Sequence, residues 1–214
     1  VLGYKVFDEE QLYKAEIYFN SKNINTKWIE RPFQGKTLLT HDIHGIPIEF
    51  YYQMDRLPTI HQKYKLYTGV KPLRIDHFNV FSINVDESVK FYSDLGFRVT
   101  EYTEDEKSKK LWAAWMHRKG TVHDIAFTNG VGPRLHHVAF WVPTPMNIID
   151  LLDVMSTTGY ITNIERGPGR HGISNAFFLY IRDPDGHRTE IYCSDYQTAV
   201  SYTHLTLPTS RSVE

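Results

Sequence analysis

The chain has 214 residues, 24 lysines and arginines against 25 aspartates and glutamates, and a single cysteine, Cys193. That length leaves room for one or two domains with a sizeable core, and a formal charge of −1 with scattered basic residues argues against a nucleic-acid partner. One cysteine excludes a disulfide framework and a cysteine-rich zinc site and points to a cytoplasmic setting, while no run nears the roughly 20 apolar residues of a membrane span.

The opening, Val1-Leu-Gly-Tyr-Lys-Val6, has neither an initiator methionine nor the charged-then-apolar layout of a signal peptide. It starts inside an apolar run and reads as a cut edge. The first unit is predicted as strand Tyr4 to Phe7, helix Asp8 to Phe19, and strands near Thr26 to Glu30, Lys36 to Thr40 and Pro47 to Tyr52. Asp8 is placed to cap the helix, with Leu12, Ala15, Ile17 and Phe19 as its apolar contacts. Met54 to Pro72 is a polar, aromatic-rich connector. The second unit starts at Leu73 and carries a helix from Asp86 to Leu95, stopped at Gly96, where a left-handed residue costs little. The third starts at Leu135, and its helix runs from Pro145, suited to a first turn, to Thr158, stopping at Gly159. Each unit is thus strand, helix and three strands.

Two internal repeats support that division. His41-Asp-Ile-His-Gly-Ile-Pro-Ile-Glu-Phe-Tyr51 and Arg182-Asp-Pro-Asp-Gly-His-Arg-Thr-Glu-Ile-Tyr192 share Asp42/Asp183, Gly45/Gly186, Glu49/Glu190 and Tyr51/Tyr192 at an offset of 141 (190 − 49). In each, a D-x-x-G turn feeds an alternating strand. Leu73-Arg-Ile-Asp-His-Phe78 and Pro133-Arg-Leu-His-His-Val138 repeat at an offset of 60 (137 − 77). Alternation in strands puts His77 with Ile75 and His137 with Leu135, while Asp76 and His136 point the other way. His77 and His137 are therefore equivalent positions of two units, and Glu190 enters from the last strand of the third. Two imidazoles and a carboxylate can hold one face of an octahedral metal and leave the other face open.

The segments LRIDHFN, AAWMHRK, TVHD, PRLHHVAF, IERGPGRHG, NAFFLYIRDPDGHR and EIY resemble the extradiol ring-cleaving dioxygenases of the vicinal oxygen chelate superfamily, in particular the homoprotocatechuate (3,4-dihydroxyphenylacetate) 2,3-dioxygenase branch. The resemblance runs from about Leu73 to Tyr196. It implies an α+β fold of repeated βαβββ modules, as in glyoxalases: two paired modules forming a metal-binding cup, plus one N-terminal module. The expected domains are 1–70, a partial N-terminal domain of one module and connector, and 71–199, a catalytic domain of two modules. From Val200 the pattern breaks. The run Val200-Ser-Tyr-Thr-His-Leu-Thr-Leu-Pro-Thr209 resembles a reading frame of a transposon-type sequencing adapter, so 200–214, His204 included, is read as non-native.

The resemblance also implies the chemistry. Both atoms of O2 enter 3,4-dihydroxyphenylacetate, giving 5-carboxymethyl-2-hydroxymuconate semialdehyde in aromatic catabolism. The metal is Fe(II), with Mn(II) the alternative, held by His77, His137 and Glu190, and the full-length protein is a homotetramer. His123 takes the acid/base position and Tyr180 a place beside the substrate oxygen. Arg166 pairs with the substrate carboxylate, whose shape a guanidinium fork matches, and His171, Asn79 and Trp115 line the substrate pocket. Read without the resemblance, His123 is a surface histidine, Tyr180 and Trp115 are core aromatics, and Asn79 is a turn amide. The glycines and proline around Arg166 suggest a shaped loop, with no helix start that would make a phosphate cradle. Three other readings stand beside this one: another extradiol catechol dioxygenase, a metal-dependent glyoxalase-like lyase or isomerase, and a non-catalytic binding module. A lyase of that kind resembles a four-ligand site, whereas Glu49 lies in the wrong module and no further acid accompanies His77.

Overall fold

A computed structural model describes residues 1–60, 62–66 and 69–198. The segment expected to be non-native, 200–214, lies outside the described residues. Unit one comprises β1 (Leu2–Lys5), α1 (Glu9–Ser21), β2 (Lys27–Arg31), β3 (Gly35–His41) and β4 (Pro47–Tyr51). Asp8 caps α1, its carboxylate accepting the Gln11 amide at 3.0 Å. Leu12 and Phe19 are buried, but Ile17 is 69 % exposed. At 3.6 residues per turn Ile17 lies about 140° around the helix from Leu12, so its apolar character does not put it on the core stripe. The first strand also ends earlier than expected, leaving Phe7 exposed.

Unit two comprises β5 (Arg74–Ser82), α2 (Val85–Asp94), β6 (Arg98–Glu104), β7 (Leu111–His117) and β8 (Ile125–Asn129). Unit three comprises β9 (Arg134–Trp141), α3 (Pro145–Thr157), β10 (Ile164–Arg170), β11 (Phe177–Arg182) and β12 (Arg188–Cys193). Gly96 and Gly159 follow α2 and α3 with φ of +86° and +84°, the left-handed turn that stops each helix. The stretch around Arg166 is a strand, β10, and not a loop. It is the outer strand of its sheet and bears two register shifts, a setting that tolerates glycine and proline.

All three units have the same strand order. Unit one forms a sheet β1-β4-β3-β2, and units two and three join into one sheet, β10-β11-β12-β9-β5-β8-β7-β6. In each unit the first strand lies parallel to the fourth, and units two and three meet through antiparallel pairing of β5 with β9. This is the α+β, repeated βαβββ architecture expected from the sequence. The D-x-x-G repeat is a repeat of geometry too. Asp42 Oδ1 accepts the Ile46 amide and Asp183 Oδ1 the His187 amide, both at 2.8 Å, while Gly45 and Gly186 sit at φ +91° and +84°.

One apolar cluster joins Leu12, Phe19 and Phe50 of unit one to Phe91, Tyr92 and Phe127 of unit two. The helical face of the smaller sheet is thus covered by the helical face of the larger one. Each fully buried side chain of this size contributes about 1.5–3 kcal/mol. A second cluster, around Ile148, Leu179 and Ile191, seats α3. With α2 and α3 on one side, the opposite side of the large sheet is left to form the site.

Candidate metal centre and substrate pocket

Irregular pairing at the junction of β5 and β9 sets the centre. Ile75 pairs with Phe140 and Phe78 with Val138, so β5 carries an extra residue at Asp76-His77; further along, Asn79 pairs with His137 and Val80 with Leu135, so β9 carries one at His136. Bulges re-aim side chains. Here they turn His77 and His137 toward each other, with Nε2 atoms 3.1 Å apart. Glu190, which lies beside Ala139 in the parallel pair of β12 and β9, brings Oε2 to 3.1 Å from His77 Nε2 and 3.0 Å from His137 Nε2. All three residues are buried, and their donor atoms form a group that could hold a metal ion. Donors about 2.1 Å from a common ion and at right angles to each other stand about 3 Å apart. The triangle therefore fits one face of an octahedral ion.

The same bulge corrects the strand phase expected for Asp76. Instead of pointing away, its carboxylate is fully buried and accepts the Nδ1–H of His77 at 3.2 Å, together with the hydroxyl of Tyr192. Arg74 closes the other oxygen at 3.0 Å. Burial works against the charge of Asp76, but its bonds to His77 and Tyr192 outweigh this and hold its pKa below the usual value. Burial likewise opposes ionisation of Glu190, and His137, His171 and His77 overcome it, so its pKa falls well below the ordinary carboxylate range. His137 is backed differently. Its Nδ1 stands 2.6 Å from that of His136, whose other nitrogen meets Arg188 at 2.6 Å. Burial, with the charges of His137 and Arg188, pushes the His136 pKa down to about 3, so this ring is neutral.

A cavity of about 220 Å³ opens over the three donors. His77, Asn79, Trp115, His123, His137, His171, Tyr180 and Glu190 all line it, so eight of the nine predicted site residues come together. The His123 ring packs on that of His77 with centroids 3.8 Å apart, and its buried Nδ1 has no hydrogen-bond partner among the described residues. Burial first, then His77, drives the His123 pKa well below its usual value. Across the cavity, His171 stacks on Phe178 and reaches Glu190 Oε1 at 2.9 Å and the Tyr180 hydroxyl at 3.3 Å. The ninth residue, Arg166, lines an adjoining cavity of about 320 Å³ that shares Asn79, Trp115, His171 and Tyr180 as walls. Its guanidinium stands 6.0 Å from the Phe178 ring centroid.

The model of the Glyoxalase/Bleomycin resistance protein/Dioxygenase superfamily matches residues 74–191, a span holding all three candidate ligands. The chain belongs to that superfamily. Among solved structures, the chain is similar to the anaerobic substrate complex of homoprotocatechuate 2,3-dioxygenase from Brevibacterium fuscum with 3,4-dihydroxyphenylacetate. The identity is 44 % and the TM-score 0.89, over 93 % of this chain and 63 % of that one. The homoprotocatechuate 2,3-dioxygenase of Arthrobacter globiformis gives 42 % identity and a TM-score of 0.89, over 93 % of this chain and 62 % of that one. A curated relative, the manganese-dependent 2,3-dihydroxybiphenyl 1,2-dioxygenase of Geobacillus genomosp. 3, is 34 % identical over 82 % of this chain and 60 % of its own length. The chain thus spans about three-fifths of the length of these relatives.

Two residues of the candidate site were not legible in the sequence. Asp76 was assigned to the opposite face, and the bulge that recruits it has no local signature. Arg188 carries no sequence signal that sets it apart, yet it stands between Glu165 and His136 and lines the Arg166 cavity. Asp76 is an acid beside His77 after all, but it meets Nδ1, the nitrogen facing away from the other two donors. Glu49, the repeat partner of Glu190, is engaged by Arg31 and Gln34 in the smaller sheet.

Proposed function

We propose that the chain carries the active site of an extradiol dioxygenase, with His77, His137 and Glu190 as metal ligands and 3,4-dihydroxyphenylacetate as substrate. The observation that carries this reading is the position of the donor triangle, buried at the floor of a cavity whose other polar walls include His123, His171 and Tyr180. Iron(II) fits the two-histidine, one-carboxylate set. Manganese(II) is its alternative, supported by the metal named for the Geobacillus genomosp. 3 relative. When bound, such an ion supplies an open coordination face and acidifies the two hydroxyls of a catechol.

The chain's own residues then have distinct tasks. His123, buried against the His77 ring with an unpartnered Nδ1, is the imidazole placed for an acid/base role; burial disfavours its charged form, so a proton it gains in the reaction is readily given up. The Tyr180 hydroxyl stays protonated, since burial and the Glu190 charge both raise its pKa, and so it donates a hydrogen bond to a substrate oxygen. Trp115 and Asn79 shape the ring slot. Arg166 pairs with the acetate carboxylate reaching into the adjoining cavity. The Brevibacterium fuscum relative, in complex with 3,4-dihydroxyphenylacetate, supports this choice of substrate. A homotetramer in the cytoplasm completes the proposal.

The reaction takes one catechol and one O2 to 5-carboxymethyl-2-hydroxymuconate semialdehyde, with no external reductant. Full chain loaded anaerobically with Fe(II), then mixed with 3,4-dihydroxyphenylacetate and air, should form this yellow product with matching O2 uptake. Binding of the catechol without product would favour a binding module instead.

A further inference from the structure

The outer strands of the large sheet, β10 and β6, lie at opposite ends of its strand order. A hydrogen bond nevertheless links the two ends: the Ser174 amide, in the loop between β10 and β11, donates to Glu101 Oε2 of β6 at 2.8 Å. The sheet is therefore curled into a cup, and this contact crosses its mouth.

Two local features build the contact. On β6, Val99 pairs with Met116 and Glu101 with Trp115, so Thr100 is an extra residue; its hydroxyl lies 2.7 Å from the Val122 carbonyl and 3.1 Å from that of Trp115. The bulge re-aims Glu101, directly across from a residue of the pocket wall. On the loop, Ser174 and Asn175 hold φ of +59° and +57°. Consecutive left-handed residues without glycine persist only where their surroundings fix them. Glu101 fixes the Ser174 amide, and Arg170 Nη1 donates to the Asn175 carbonyl at 2.7 Å. Glu101 also accepts a hydrogen bond from the Tyr196 hydroxyl.

The loop held in this way is itself a wall of the cavity over the three donors, through Gly172, Ile173, Ser174 and Ala176. His171 begins it, with its amide on the Ala176 carbonyl at 2.9 Å and its Nε2 at 2.9 Å from Glu190. We propose that Glu101 is a positioning residue: by clasping Ser174 across the mouth of the cup it fixes loop 171–176, and with it the place of His171 against the catechol. The role toward catechol rests on the reaction proposed above. The clasp itself rests on geometry alone.

Hydrogen–deuterium exchange on the full chain separates the two. Removing a hydrogen bond to a charged acceptor in Glu101→Ala should speed exchange in peptides holding Ser174 by about tenfold, whereas Glu101→Gln, which keeps an acceptor, should give a smaller rise. Glu104→Ala, on the same strand and paired with Lys109, should leave the loop unchanged. In metal-loaded protein, Glu101→Ala should raise the catechol KM by about tenfold, with metal retention equal to wild type. If alanine unfolds the chain, seen as lost protection in β7 and β8, the glutamine variant decides by its rise confined to the loop. Exchange equal to wild type in the folded variants overturns the clasp, and faster exchange with an unchanged KM overturns the positioning role. Should wild type turn over no catechol, the proposed reaction fails and exchange alone judges the clasp.

Discussion

Asp76 has no exposed side-chain surface, yet it is ionised, because His77, Tyr192 and Arg74 share its two oxygens. A carboxylate accepting from His77 Nδ1–H fixes the tautomer that leaves Nε2 bare for a metal, and loss of such a partner lowers metal affinity by about 10–100-fold. Asp76→Asn should show that loss in competition with a chelator while keeping its circular dichroism; unchanged affinity would remove Asp76 from the account. Arg166 makes a different kind of prediction. No described carboxylate pairs with it, so Arg166→Gln should weaken 3,4-dihydroxyphenylacetate by about tenfold or more and leave plain catechol nearly untouched. Equal losses for both substrates would refute the carboxylate role. At this scale the sequence was informative wherever a residue belonged to a repeat: alignment of two units paired His77 with His137. It failed at Asp76 and His136, where an inserted residue breaks the period of two.

Among the elements, the helices were legible because their ends are chemical. Asp8, Pro145, Gly96 and Gly159 mark boundaries that the structure keeps to within a residue or two. Strand β10 was not, since Gly167, Pro168 and Gly169 look like a loop until pairing with β11 is seen. Beyond that backbone pairing, Glu165 ties the outer strand to its neighbours through bonds to Arg182 of β11 and Arg188 of β12. Arg188 first, then Arg182, outweigh burial and lower the Glu165 pKa from 4.5 to about 2. A carboxyl whose folded pKa is depressed contributes stability above its unfolded value, lost as pH falls toward the folded one. The Glu165 contribution should thus be complete above about pH 4.5 and fade toward pH 2. In acid titrations followed by circular dichroism, Glu165→Gln should lack that component. Identical acid transitions for the two proteins would contradict this role.

For the whole molecule, the site exists because units two and three pair through their first strands. That pairing brings His77 and His137 together from 60 positions apart (137 − 77), and the parallel neighbour β12 adds Glu190. Three similar units were visible in the sequence, and the resemblance implied that the second and third pair, but not which strands would make the junction. Strand partners at long range leave no local pattern, and here only the fold shows that β5 meets β9 while β1 pairs with β4 alone. Glu49 illustrates the consequence. It repeats the position of Glu190, but without a paired unit supplying histidines it is met by Arg31. The central claim is that the three donors at the junction hold a single ion. Its most direct test is the metal content of the full chain after anaerobic loading with Fe(II) or Mn(II) and desalting, compared with Glu190→Ala. About one ion per chain is expected in wild type and near-complete loss in the variant; equal retention in both would mean that the three donors do not hold the ion.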